Sequence, residues 1–144
     1  MKILLRNRLA KFNYESIKEY EAGIVLVGTE VKSLIKANGD ITNSFAIFKK
    51  NEIYLLNMHI RKYKFGSFTN HDENRSRKLL LHRKEINYLA HRCKLERLQI
   101  IPVNVYIAKK KIKVRLALAK GKKMIDKRRS IQERELQRRM KKYY

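Results

Sequence analysis

The chain has 144 residues, with 36 Lys and Arg against 13 Asp and Glu, a formal net charge of +23. That length encloses one modest core, and an excess of cations on this scale self-repels unless a polyanion relieves it, which puts nucleic acid first among partner classes and anionic membrane second. No apolar run approaches the roughly 18 residues of a membrane span, the start shows no secretory apolar stretch, and the single Cys93 excludes an internal disulfide.

With 44% hydrophobic residues, 8 Tyr and 5 Phe, the chain is expected to fold rather than remain a disordered polycation, and to be cytoplasmic. In chain order, Met1 to Lys11 is basic and reads as loose. From Phe12 a strand pattern sets in, through Tyr14, Ile17, Tyr20 and Ile24 to Val27, with Gly23 as an expected bulge or bend. Thr29-Glu30 opens a short helix, Thr29 as cap and Glu30 at the positive end of the dipole. Val31, Leu34 and Ile35 form its apolar face, and Asn38-Gly39 ends it.

Phe45 to Phe48 and Ile53 to Met58 read as an antiparallel hairpin turning at Lys49-Lys50-Asn51. Tyr63 to Arg77 reads as a long polar loop. A helix is expected from about Lys78 to Cys93, with Leu81, Ile86, Leu89, Ala90 and Cys93 inward. Two alternating strands follow, Gln99 to Ala108 and Ile112 to Ala119, joined by Lys109-Lys110-Lys111. This order favours a mainly β fold with flanking helices, an antiparallel barrel of the oligonucleotide-binding type, modestly ahead of an α+β sandwich.

Residues 120–144 carry 11 basic and 3 acidic side chains, so the boundary is placed near Gly121: an RNA-binding barrel domain over residues 1–120 and a basic tail over residues 121–144. Ser130-Ile131-Gln132-Glu133 fits a capping box. Ile131, Leu136 and Met140 make only a thin apolar line, so the tail helix is expected to be disordered alone and helical against a polyanion.

Six stretches carry a resemblance. They are Tyr20-Glu21-Ala22-Gly23, Gly28-Thr29-Glu30-Val31-Lys32-Ser33-Leu34, Asn57-Met58-His59-Ile60, Arg75-Ser76-Arg77-Lys78-Leu79-Leu80-Leu81, Ala117-Leu118-Ala119-Lys120-Gly121-Lys122-Lys123 and Asp126-Lys127-Arg128. In this order and spacing the chain resembles the SsrA-binding protein (small protein B) family. The resemblance implies a closed oligonucleotide-binding barrel. It also implies binding, as a monomer in the RNA complex, to the transfer-RNA-like part of transfer-messenger RNA. A basic tail would then probe the empty messenger channel of a stalled ribosome, near the decoding centre, in trans-translation.

By the same resemblance Asn7, Glu21, Leu80 and Lys113 are RNA contacts. A carboxylate such as Glu21 accepts hydrogen bonds from a base amino group, a leucine packs on an unpaired base, and Lys113 neutralises a phosphate. Gly121, Lys122 and Lys123 form a hinge with phosphate-gripping lysines. Asp126, Lys127, Arg128, Arg129, Arg134, Arg138 and Arg139 are the ribosome-contacting tail. The chain departs from many family members at Ile125, where histidine is common.

An enzyme reading finds little support. His91 and Cys93 lie two apart on a helix and point in different directions. His71-Asp72-Glu73 has no partner pattern, and no phosphate-binding glycine loop occurs. No catalytic residue, metal or cofactor is expected, and Cys93 reads as a core side chain. The competing class is a structural ribosomal protein bound to ribosomal RNA, which composition alone favours.

Overall fold

A computed structural model describes residues 1–66, 70–122 and 124–143, with side chains in the last stretch described at 128 and 131–139 only. Among the described residues nine strands and four helices follow one another: β1 (Lys2–Arg6), α1 (Ala10–Asn13), β2 (Tyr14–Ile24), α2 (Gly28–Ile35), β3 (Gly39–Asp40), β4 (Phe45–Lys49), β5 (Glu52–Leu56), β6 (His59–Ile60), β7 (Arg77–Leu80), α3 (Arg83–Glu96), β8 (Gln99–Ala108), β9 (Lys111–Gly121) and α4 (Met124–Tyr143).

The main sheet closes on itself. Its order β8-β4-β5-β7-β2-β9 returns to β8 through the β8–β9 hairpin, and every pairing is antiparallel. Closure removes the exposed edges that invite aggregation. The expected barrel with flanking helices is therefore the fold observed. Both hairpin turns place two consecutive non-glycine residues in the left-handed region, Lys50-Asn51 and Lys109-Lys110. Such two-residue turns match the right-handed twist of the strands they join. Inside the ring, Ala22, Ile53, Leu55, Leu79, Val105, Val114, Leu116 and Leu118 are buried, one from every second strand position.

The opening segment is not loose. β1 pairs with β8, and the register slips between Ile3 and Leu5. That slip turns two successive leucines, Leu4 and Leu5, towards the core, which strict alternation forbids. Sequence pattern missed the strand for this reason. A second miss is β7: Arg77–Leu80 pairs with both β5 and β2, and α3 begins only at Arg83. Ile86 and Leu89 face the core as expected, whereas Leu81 lies before the helix.

Gly23 is not where β2 is irregular. The slip falls between Ser16 and Lys18, while Gly23 pairs with Lys113 on one side and Leu80 on the other. The buried face of α2 is also rotated from expectation: Glu30, Ser33 and Leu34 are buried and Ile35 is half exposed. Thr29 is not the cap. The Val27 N–H donates to Glu30 Oε1 at 2.9 Å, and the Thr29 hydroxyl bonds His71 Nδ1 at 2.8 Å.

The tail helix begins at Met124, six residues before the expected start, so the proposed capping box lies inside it. The side chain of Ser130 is outside the described residues. Residues 131–139 are exposed, Ile131 and Leu136 among them, and α4 touches the body through α1.

Candidate nucleic-acid interface

Three of the expected RNA contacts meet on the outer face of the barrel around Gly23. Ala22 and Val114 point inward, so Glu21, Gly23, Lys113 and Arg115 point outward by alternation. Cross-strand register then sets Lys113 beside Gly23, Leu80 on the other flank, and Arg115 beside Glu21. Lys113 Nζ lies 3.9 Å from Glu21 Oε1, and Arg115 Nε lies 3.9 Å from Glu19 Oε2. These are loose, solvent-facing pairs that contribute little to stability, so their carboxylates and cations remain available to a ligand.

Gly23 makes this junction possible. A Cβ there would stand 3.2 Å from the Cβ of Leu80. With glycine, Leu80 lies down across β2 while keeping half its surface exposed. Leu80, Gly23, Ile24, Leu26, Val31 and Ile112 line an open basin of about 400 Å³ whose rim carries Lys110, Lys111 and Lys113. An apolar floor with a cationic rim suits an unpaired base over the floor and phosphates at the rim.

Arg115 and Tyr106 stand beside these residues without having been marked in the sequence. Tyr106 is buried beneath the Arg115 guanidinium, which sits 5.6 Å from the ring centroid. Burial pushes the Tyr106 phenol above its ordinary value, and the neighbouring Glu21 carboxylate adds to the effect. The Tyr106 ring thus lies under Arg115, which stands in the row with Glu21. Strand alternation was the signal: Lys111, Lys113 and Arg115 repeat every second residue.

The remaining expected sites lie elsewhere. Asn7 follows β1 at a distance from this junction in the sheet order. Its Nδ2 donates to the Pro102 carbonyl at 2.9 Å and its N–H to the Val103 carbonyl at 2.9 Å, so it holds the chain against the irregular point of β8. Its Oδ1 is buried without a hydrogen-bond partner among the described residues. Gly121 ends β9 opposite Tyr14, has no left-handed φ, and would accept a Cβ in open space. Lys122 Nζ donates to the Lys11 carbonyl at 2.6 Å, and its N–H to the Asn13 carbonyl at 2.9 Å. Lys123 lies outside the described residues, as do the side chains of Asp126, Lys127 and Arg129. Arg128, Arg138 and Arg139 are exposed on α4, and the Arg134 guanidinium lies 5.7 Å from the Phe12 ring centroid.

The histidine and acid candidates are structural. His71 is buried, with Nδ1 on Thr29 and Nε2 on the Ile60 carbonyl at 2.9 Å. Asp72 accepts from the Asn74 N–H, and Glu73 pairs with His59 at 3.2 Å, so the three neighbours diverge. No cluster of metal-ligating side chains occurs among the described residues. Burial raises the Cys93 thiol, which packs against the core.

The family described as SmpB protein matches the chain over residues 4–144. The chain belongs to the SmpB family. It is 48% identical over 143 residues to the SsrA-binding protein of Malacoplasma penetrans (strain HF-2), covering 99% of this chain and 98% of that protein. It is 48% identical over 144 residues to the SsrA-binding protein of Fervidobacterium nodosum, covering 99% and 97%. A solved structure described as "tmRNA-SmpB: a journey to the center of the bacterial ribosome" holds a similar chain, with TM-score 0.69 and 45% identity over 83% of this chain and 85% of that one. The resemblance read from six motifs is thus a full-length family relationship. Glu21, Leu80 and Lys113, expected as RNA contacts from the motifs, come from three separate strands.

Proposed function

We propose that this chain binds transfer-messenger RNA and delivers it to stalled ribosomes for trans-translation. The observation that carries the reading is convergence: Glu21, Leu80 and Lys113, some 90 residues apart at the extremes, meet around Gly23 in a chain whose SmpB relationship spans nearly its whole length. On that face Lys110, Lys111 and Lys113 neutralise phosphates, Leu80 packs against an unstacked base, and Glu21 accepts from a base amino group. Arg115, stacked over Tyr106, belongs to the same surface.

Residues 1–120 act as the RNA-binding unit and residues 121–144 as the ribosome probe. The cations of α4, with Arg128, Arg138 and Arg139 exposed, engage ribosomal RNA in the vacant messenger channel. Lys123, Asp126, Lys127 and Arg129 belong to the same probe, and Asn7 positions the start of the barrel beside the RNA. The protein acts as a monomer, in the cytoplasm, by recognition rather than catalysis. No helix among the described residues is long and apolar enough to cross a membrane.

The deciding experiment is recovery of the protein from cells followed by sequencing of the bound RNA. Enrichment of transfer-messenger RNA over ribosomal RNA is expected. Recovery only with washed ribosomal subunits would favour a resident ribosomal protein instead.

A further inference from the structure

A second aromatic and cationic cluster lies outside the Gly23 junction. Tyr63 and Phe65 pack edge to face, with ring centroids 5.7 Å apart. Phe65 is 72% exposed, among the most exposed large apolar side chains described. Lysines crowd both rings: Lys32 and Lys36 lie 5.4 and 5.9 Å from the Tyr63 centroid, and Lys36 and Lys64 lie 5.6 and 5.9 Å from the Phe65 centroid. Lys32 and Lys36 stand one helical turn apart, so the pair forms a stripe at the end of α2. None of these three lysines forms an ion pair among the described residues.

The turn that presents Phe65 is built, not incidental. Gly66 N–H donates to the Tyr63 carbonyl at 2.9 Å. The Asn70 side chain clamps the same residue from both sides: Oδ1 accepts from the Tyr63 N–H at 3.2 Å, and Nδ2 donates to the Tyr63 carbonyl at 2.9 Å. A Cβ at Gly66 would meet Asn70 Nδ2 at 2.7 Å, so a side chain there would push on the clamp. Asn70 in turn accepts from the N–H of buried His71, which ties the turn to Thr29 and Ile60. The phenyl ring two residues beyond the clamped Tyr63 thus stands out in water, where it gains nothing from the core.

We infer that Tyr63 and Phe65, with Lys32, Lys36 and Lys64, form a stacking site for an unpaired nucleotide of single-stranded RNA. A base stacks on an aromatic face regardless of its identity. Duplex RNA offers no free base face, so the ligand is single-stranded. The lysines now resting on the rings are held by weak, exchangeable contacts. When a base takes one ring face, the displaced ammonium group turns to the adjoining phosphate. The site shares no residue with the Glu21–Leu80–Lys113 junction and does not depend on the function assigned to it.

The test is photo-cross-linking of the full chain to a short unstructured oligonucleotide carrying thiouridine, with the adduct mapped by mass spectrometry, alongside affinity by fluorescence anisotropy. An adduct on Tyr63 or Phe65 is expected. Phe65→Ala should weaken single-strand binding on the order of 10-fold, as loss of one stacked base does. Phe65→Tyr should retain affinity, Phe65→Leu should not, and all three variants should keep the thermal midpoint because the ring is exposed. Adducts confined to other segments would overturn the proposal. So would an affinity that follows the three lysines but ignores Phe65. Glu21→Ala, measured on structured RNA in parallel, reports separately on the other face.

Discussion

Arg77 and Glu30 form an ion pair from which water is excluded: both side chains are fully buried, with Arg77 Nε donating to Glu30 Oε2. Arg75 Nη2 completes the carboxylate from the outside at 2.5 Å, and Arg77 also donates to the Met58 and Glu73 carbonyls. One carboxylate therefore joins α2, β7 and the segment between β6 and β7. Breaking such a pair leaves a buried charge unpaired and costs about 3–5 kcal/mol. Arg77→Met is expected to lose that much stability in urea denaturation, and Glu30→Met/Arg77→Met less than the two single losses together. A single-variant loss below about 1 kcal/mol would show that the pair is not structural.

The same carboxylate makes the fold acid-sensitive. Burial alone would raise Glu30. The hydrogen bonds from Arg75, the Val27 N–H and Arg77 overcome that and hold it below its ordinary 4.5. A depressed carboxyl contributes stability that is fully present above pH 4.5 and is lost as the pH falls through its folded value. The urea midpoint of the wild type should drop on acidification below that point, and that of Glu30→Gln should drop less. Equal drops would place the acid sensitivity elsewhere.

Two glycines should respond oppositely to alanine. At Gly23 the new methyl meets the Leu80 Cβ, which cannot rotate away, so Gly23→Ala is expected to cost about 1–3 kcal/mol and to displace Leu80 from the basin. At Gly121 the space is open and φ is ordinary, so Gly121→Ala should leave the thermal midpoint unchanged or slightly raised. Trans-translation activity of Gly121→Ala then reports on any hinge role directly.

Glu21→Ala and Lys113→Ala separate base recognition from phosphate contact. Both side chains are solvent-facing, so neither change should shift the melting temperature appreciably. Lys113→Ala should weaken RNA binding and reduce the slope of log affinity against log salt by about 0.7–0.9. Glu21→Ala should weaken binding to the folded RNA with an unchanged slope. An unchanged slope for Lys113→Ala would remove it from the phosphate contacts.

Removing the residues beyond Lys122 spares every strand of the ring and the fastening of Lys122 to Lys11 and Asn13. Affinity for transfer-messenger RNA should persist, while peptide tagging in a reconstituted translation system should disappear. Loss of RNA affinity would contradict the division into barrel and probe.

Alternation and periodicity make the long elements legible in the amino-acid sequence itself. The hairpins β4–β5 and β8–β9, most of β2 and the inner face of α3 follow directly from where apolar residues recur. The motif order also marks Glu21, Leu80 and Lys113, though not that they gather around Gly23. The elements that escape such a reading are those whose pattern is broken by a long-range contact. β1 buries adjacent leucines because a slipped register against β8 turns them both, and β7 hides a fully buried arginine where a polar loop is expected.

Charge excess, the absence of a membrane-length apolar run, the hairpins and the family motifs are properties of neighbours along the chain, so they can be read from it in order. Ring closure, the rotation of α2 onto Glu30, the Gly23–Leu80 approach and the lysine-ringed Tyr63–Phe65 pair join residues far apart in the chain. A buried carboxylate becomes tolerable only once two arginines from a distant segment reach it. That compensation exists in space, where desolvation and pairing are settled together, and leaves no local trace.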